Sequence, residues 1–233
     1  MRLQKFLSQA GVCSRRKGEE HILAGLVAVN GIVVTELGTS VDIERDEVRF
    51  KGQAVKISSE KSKIYIALNK PIGVIASCSH SHEGEKIVLD IIDIADRIYP
   101  IGRLDKDSSG LLLLTNDGDL HNKLSHPSYN HEKEYIVTTV EPLSKSALEK
   151  MARGVMLDGK KTREAQVAQL SRFKFKIVLK QGVNRQIRRM VEKTGNQVKE
   201  LVRVRIGSIK IGGLEVGRWR FLTQTEVDEL KLI

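Results

Sequence analysis

The chain has 233 residues, 40% hydrophobic and only 4% aromatic, with 39 Lys and Arg against 29 Asp and Glu for a net charge of +10. That length allows one large or two modest domains with a core that needs no staples. No apolar run of 18 residues exists to cross a membrane. The positive balance points to a polyanion, nucleic acid above all, and so few aromatics exclude a binding mode built on many stacked bases. Met1–Phe6 has no apolar signal core, and Cys13 and Cys78 lie far apart without metal-ligand spacing. A reducing, cytoplasmic setting is expected.

Leu3, Phe6, Leu7 and Ala10 follow helical spacing up to Gly11, and Ser14 is placed to cap a second helix that Gly25 closes. Val27 to Val34 reads as a hairpin, because Asn30-Gly31 supplies the positive φ angles of a type I′ turn. Val41 to Ile57 adds short strands around charged turns. Arg15, Arg16 and Lys17 occupy the first turn of the second helix, where the macrodipole disfavours cations by roughly 0.3–1 kcal/mol each. Cations beside free N–H groups make a phosphate cradle there; an indifferent surface cluster is the alternative. Arg2, Lys5 and these three form a basic zone without an acid through residue 17.

Residues 57–63 are polar and aperiodic and read as a linker. Beyond it, strands are expected at Tyr65–Leu68, Gly73–Ser77, Leu111–Thr115, Glu134–Val140, Phe173–Leu179 and Leu201–Ile206. Helices are expected at Gly118–Ser125, Ser144–Arg153, Asn184–Thr194 and Thr223–Leu230. Strands and helices mixed without regular alternation argue for an α+β fold on a largely antiparallel sheet. A second basic zone spans 181–220, with ten Lys and Arg against Glu192, Glu200 and Glu215.

Gly102-Arg103-Leu104-Asp105 places a carboxylate beside an arginine on a polar turn, just before Leu111 to Leu114, a run that must be buried. A buried run fixes the turn's backbone, and a fixed backbone can aim an attacking group. Asp105-x-Asp107-x-Ser109-Gly110 also has the start of a calcium loop, but its twelfth position is Asn116 rather than a bidentate glutamate. His80, His82 and Glu83 sit in a loop that reads as solvated, and no metal is expected. In Gly182-Val183-Asn184-Arg185-Gln186-Ile187-Arg188-Arg189-Met190, Asn184 can cap a helix. Arg185, Arg188 and Arg189 share one face of it, while Ile187, Met190 and Val191 point to the core. Read alone, Tyr135 in Lys133-Glu134-Tyr135 is as readily a core aromatic.

The run G-R-L-D-x-x-x-x-G-L-L-L-x-T-x-D-G, with Asn69-Lys70-Pro71-Ile72-Gly73, Lys133-Glu134-Tyr135 and the Asn184–Met190 segment, resembles the signature of the RsuA/RluB/RluE/RluF-type pseudouridine synthases. Residues 1–50 resemble an S4 RNA-binding domain. Gln181, where a glutamate often precedes the glycine, is the small departure. The resemblance implies an S4 (αL-type) domain at 1–57, a linker at 58–63 and a synthase domain at 64–233. It implies that a uridine of ribosomal RNA, in a free or pre-ribosomal particle, is isomerised to pseudouridine without a cofactor, by a monomer. It makes Asp105 the nucleophile or base, Tyr135 the residue that stacks on the base, and Arg188 the partner of Asp105. Arg103 would fill the gap left by the flipped base, and Leu104 and Leu201 would support the site. Arg2, Lys5, Ser14, Arg15, Arg16, Lys17, Asn30, Arg185, Arg189, Arg203 and Arg205 would contact RNA. The Asn184–Met190 run leans toward the 23S, large-subunit members. A non-catalytic S4-containing assembly factor, or a synthase acting on 16S ribosomal RNA or transfer RNA, stays open.

Overall fold

The computed structural model describes residues 1–57, 62–125 and 130–232, and the chain divides into two compact units, Met1–Ser62 and Lys63–Ile233. Most of the expected linker, 58–63, lies outside the described residues.

In the first unit, helix α1 (Leu3–Gln9) buries Leu3, Phe6 and Leu7, the three apolar positions of one face. Helix α2 (Arg15–Leu23) starts where the Ser14 side chain accepts the Lys17 N–H, which satisfies one of the orphan donors of its first turn. Strands β1 (Val27–Val29) and β2 (Ile32–Val33) form the expected hairpin, with φ of 51° at Asn30 and 82° at Gly31. Strands β3 (Val48–Phe50) and β4 (Gln53–Val55) complete a four-stranded sheet in the order β2-β1-β3-β4. Leu3, Phe6, Leu7, Ile22, Val27, Val41 and Val48 form its core.

The second unit runs β5 (Tyr65–Lys70), β6 (Tyr99–Ile101), β7 (Ser109–Thr115), α3 (Gly118–Ser125), β8 (Lys133–Thr139), α4 (Lys145–Ala152), β9 (Met156–Leu157), β10 (Lys160–Lys161), β11 (Gln166–Ser171) and β12 (Lys174–Leu179). It continues with α5 (Gln186–Glu192), β13 (Val198–Ile206), β14 (Ile209–Lys210), β15 (Trp219–Phe221) and α6 (Gln224–Leu232). Among the described residues one sheet takes the order β11-β12-β8-β13-β7-β5-β15, with β14 beside β13 and β6 beside β7. Its pairings are antiparallel except for β7 with β13, where Ser109 faces Val202 and Gly110 faces Arg203.

Leu111 to Leu114 are fully buried because the sheet is covered on both faces at its centre. That is why the run is continuous rather than alternating, and each leucine contributes roughly 1.5–3 kcal/mol of burial. Leu112 and Leu114 pack with Ile66, Leu68, Val88 and Leu104. Leu111 and Leu113 pack with Ile101, with Leu120 and Leu124 of α3 and with Leu230 of α6. Helices α4 and α5 cover β8 and β12 through Met151, Met190, Val191, Val137 and Phe175.

The expected strand at Gly73–Ser77 does not form. The Val74 carbonyl is taken by the buried Lys70 ammonium and the Ile75 carbonyl by the Val88 N–H. Only the single bridge Ile75–Ile87 remains. The helix expected from Asn184 begins two residues later: Arg185 adopts a left-handed φ of 49° at its N-cap, and no side chain caps it.

Gly110 has φ of 106°, and a Cβ there would stand 2.6 Å from the Arg203 amide nitrogen. Both strain and collision forbid a side chain. Gly110→Ala is therefore expected to cost ~3 kcal/mol or more in urea unfolding. Gly212→Ala, whose Cβ meets nothing within 4 Å at φ of 56°, should cost ~1 kcal/mol.

Candidate active site

A cavity of about 400 Å³ opens in the second unit. Its wall includes Arg103, Leu104 and Asp105 from the loop between β6 and β7, Lys133 and Tyr135 from β8, Arg185 at the start of α5, and Leu201 and Arg203 from β13. Residues far apart in sequence thus converge because β7, β13 and β8 are neighbours in the sheet. Leu104 and Leu201 are buried. Tyr135 packs against the α4–α5 core and against the Leu112–Leu114 core at once.

The loop carrying Asp105 is held from several sides. The Ser108 N–H closes a turn onto the Asp105 carbonyl, and the Gly73 N–H donates to the Lys106 carbonyl at 2.7 Å. The Asn69–Gly73 segment thereby braces the loop. Arg188 donates from Nη2 to the Asp107 carbonyl at 2.7 Å and to Ser108 Oγ at 3.3 Å. Arg203 donates from Nε to the Leu111 carbonyl at 2.7 Å and from Nη1 to the Arg103 carbonyl at 3.3 Å.

The two carboxylates of the loop have different surroundings. Asp107 accepts both ends of the Arg185 guanidinium, at 3.0 and 2.9 Å, and lies 3.3 Å from Arg188 Nε. The Arg185 hydrogen bonds hold its carboxyl below the usual range, with the Arg188 charge adding to them. Among the described residues Asp105 has only Arg185 Nη1 within ion-pair distance, at 3.9 Å, and it is about a third exposed at the cavity wall. The expected Arg188–Asp105 pair is therefore corrected: Arg188 reaches Asp107 and its carbonyl, and the guanidinium nearest Asp105 is that of Arg185.

Several of the expected RNA contacts have partners within the protein. Arg203 is 2% exposed and supports the loop from beneath. Arg205 is tied to Glu134, Glu132 and the Gly207 carbonyl, Arg189 to Asp158, and Lys17 to Glu20 at 2.6 Å. Arg2 donates to the Gly38 carbonyl. The Asn30 side chain spans Asp46 and the Glu47 N–H, so it fastens a loop within its own unit. Arg15 and Arg16 are exposed beside Ser14, and Lys5 is half-buried.

Lys70 and Asp107 carry more of the site than the sequence suggested. Lys70 is fully buried, donating to the carbonyls of Pro71 and Val74. Burial pushes its ammonium down to about 8, while Asp107 and Asp105 pull the other way and Arg203 adds to the depression. The signals were present in the motifs, since Lys70 belongs to Asn69–Gly73 and Asp107 stands two residues after Asp105.

A model of the RNA pseudouridylate synthase family matches residues 64–193, and a model of the S4 domain matches residues 1–48. The chain belongs to the RNA pseudouridylate synthase family. It is 41% identical over 235 residues to the dual-specificity RNA pseudouridine synthase RluF of Escherichia coli (strain K12), covering 100% of this chain and 79% of that protein. It is 44% identical over 239 residues to the ribosomal large subunit pseudouridine synthase B of Bacillus subtilis (strain 168), covering 100% of this chain and 96% of that one. A crystal structure of a pseudouridylate synthase superposes with a TM-score of 0.72 at 29% identity over 99% of both chains. In this pseudouridine synthase the loop aspartate Asp105 and Tyr135 line one cavity.

Two outcomes test this electrostatic frame. Arg203→Lys leaves one carbonyl unheld, because an ammonium cannot span both. Turnover should fall at least tenfold while RNA affinity and its salt dependence stay unchanged; a phosphate contact would instead lower the salt slope by ~1. For Lys70, the unfolded chain takes up its proton near 10.5 and the folded protein only near 8. Between those values the unfolded chain holds more protons, so stability rises with pH. Urea unfolding at pH 8 and 10 should show wild type gaining ~2 kcal/mol relative to Lys70→Met.

Proposed function

We propose that this pseudouridine synthase isomerises a uridine of ribosomal RNA, with Asp105 as the carboxylate that reacts at the ribose. The observation that carries this reading is the division of the two loop carboxylates. Asp107 is consumed by Arg185 and Arg188, whereas Asp105 faces the cavity with a cation 3.9 Å away. That cation stands beside the carboxylate without covering the oxygens that must react. Asp105 either attacks C1′ or removes the neighbouring C2′ proton, and both routes need the same placement.

Tyr135, with its ring at the cavity wall, supplies a face for the extruded base and stands as a candidate acceptor for the C5 proton. Taking a base out of its stack costs a few kcal/mol, which phosphate contacts at a basic surface return. Exposed Arg103 at the cavity edge is placed to fill the gap the base leaves. Arg15 and Arg16 of the S4 unit add contacts to the RNA backbone, and S4 modules bring the substrate class rather than the chemistry. The large ribosomal subunit is the favoured substrate, supported by the Asn184–Met190 run and by the name of the Bacillus subtilis relative.

Pseudouridine mapping on 23S, 16S and transfer RNA, after incubation with wild type and with Asp105→Asn, tests the reading. A new 23S site made by wild type and lost by at least ~10⁴-fold in the variant is expected, with unfolding stability within ~1 kcal/mol. A site confined to 16S or transfer RNA would move the substrate. No site on any RNA, from protein that binds RNA, would make it a binding factor.

A further inference from the structure

Lys133 stands at the cavity wall two residues before Tyr135 on β8, and the two-residue period of a strand puts both side chains on one face. The flanking acids Glu132 and Glu134 are engaged elsewhere, by Arg205 and by Lys180 and Lys176 respectively. Among the described residues no ion pair includes Lys133, and its ammonium makes one long hydrogen bond, 3.5 Å to the His131 carbonyl. The charged group felt from within is another cation, the buried Arg203, whose backbone is the register partner of Tyr135. Burial pushes the Lys133 ammonium below its usual value and Arg203 pushes it further. Two neighbouring cations in a partly dry cavity, neither in an ion pair among the described residues, are costly unless a ligand brings negative charge.

The reaction supplies such a charge. When C1′–N1 breaks, its electron pair stays on the uracil, on N1 and spread to the carbonyl oxygens. The ribose C1′ meanwhile bonds to an Asp105 oxygen, or the ribose loses its C2′ proton to it. The base then turns and C5 bonds to C1′ as the C1′–Asp105 oxygen bond breaks or as Asp105 returns the C2′ proton; the C5 proton leaves and N1 takes one up, so no other atom or electron is needed. Between the two bonds the base is an anion lying beside Tyr135.

We infer that Lys133 is a catalytic residue, hydrogen-bonding a carbonyl oxygen of the departing uracil and stabilising its charge once C1′–N1 has broken. A backbone phosphate is the competing anion. It is better served by Arg103 and Arg185, which are exposed, than by a half-buried ammonium on the tyrosine's own face. The inference rests on Asp105 reacting with a uridine.

The test uses the full-length protein and a short RNA stem-loop spanning the mapped site, with uridine or 5-fluorouridine at the target. Fluorine stabilises the uracil anion, so less help is needed from the protein. C1′–N1 cleavage is followed in single turnovers by mass spectrometry of the digested RNA. Lys133→Met should slow the uridine substrate roughly 100-fold and the 5-fluorouridine substrate distinctly less. The RNA dissociation constant should stay within about twofold, and Lys133→Arg should recover most of the rate. An equal loss on both substrates overturns the proposal, as does a loss confined to affinity with the salt slope reduced by ~1, the mark of a phosphate contact. Should Lys133→Met not fold, Lys133→Gln carries the same comparison. Asp105→Asn is run beside them: if it stays active, the reading of the site falls; if it is inactive while Lys133→Met matches wild type, only the inference about Lys133 falls.

Discussion

The site depends on the close approach of β13 to β7 at Gly110, where the absence of a side chain lets the Arg203 backbone lie against the strand. That approach places the Arg203 side chain beneath the loop, fully desolvated, with its donors on the Arg103 and Leu111 carbonyls. A buried guanidinium is expensive, and much of its worth here is geometric: it holds both ends of the segment that carries Asp105. The four leucines that follow anchor the same strand in two cores at once. The loop's only remaining freedom is therefore in side chains, which is what an attacking group needs.

Around this frame the charges are sorted by task. Asp107 and the Arg185–Arg188 pair neutralise one another and hold the loop's outer side. Lys70 satisfies carbonyls in the neighbouring turn, and Arg203 those beneath the loop. Two less closely engaged groups face the cavity: Asp105, whose ion-pair contact with Arg185 is 3.9 Å long, on one wall, and Lys133, which enters no ion pair among the described residues, on another. Asp105, the less closely bonded carboxylate, keeps its oxygens open to the cavity, while Asp107 is held by Arg185 and Arg188.

Much of this was legible in the sequence where a local rule decided the outcome. Asn30-Gly31 forced the hairpin, Ser14 capped α2, and Gly118–Ser125 formed a helix over those same residues. The Leu111–Leu114 run announced a strand buried on both faces. Long-range placement was not legible. Val202-Arg203-Val204-Arg205 looks like a strand with two exposed cations. Only the parallel pairing with β7 reveals that Arg203 is interior, and Arg205 finds Glu132 and Glu134 on β8 and just before it. The resemblance implied a pair of Arg188 with Asp105, and spacing alone could not tell which of two carboxylates two residues apart a helix will reach; here Arg188 lies against Asp107. Gly73–Ser77 had the composition of a strand, but its carbonyls were claimed by Lys70 and by the Val88 amide.

The ties on the catalytic loop join residues that are distant along the chain: Arg188 with Asp107 across 81 positions, and Arg203 with Arg103 across 100. Contacts of such sequence separation form late, after their loop-closure entropy has been met. A growing polypeptide that has already emitted its G-R-L-D segment still lacks both clamps, and gains the second only once Arg203 has been made. The loop that carries Asp105 is thus left without its frame until β13 joins the sheet. For an enzyme made on a ribosome and proposed to modify ribosomal RNA, that order of assembly separates its birth from its work.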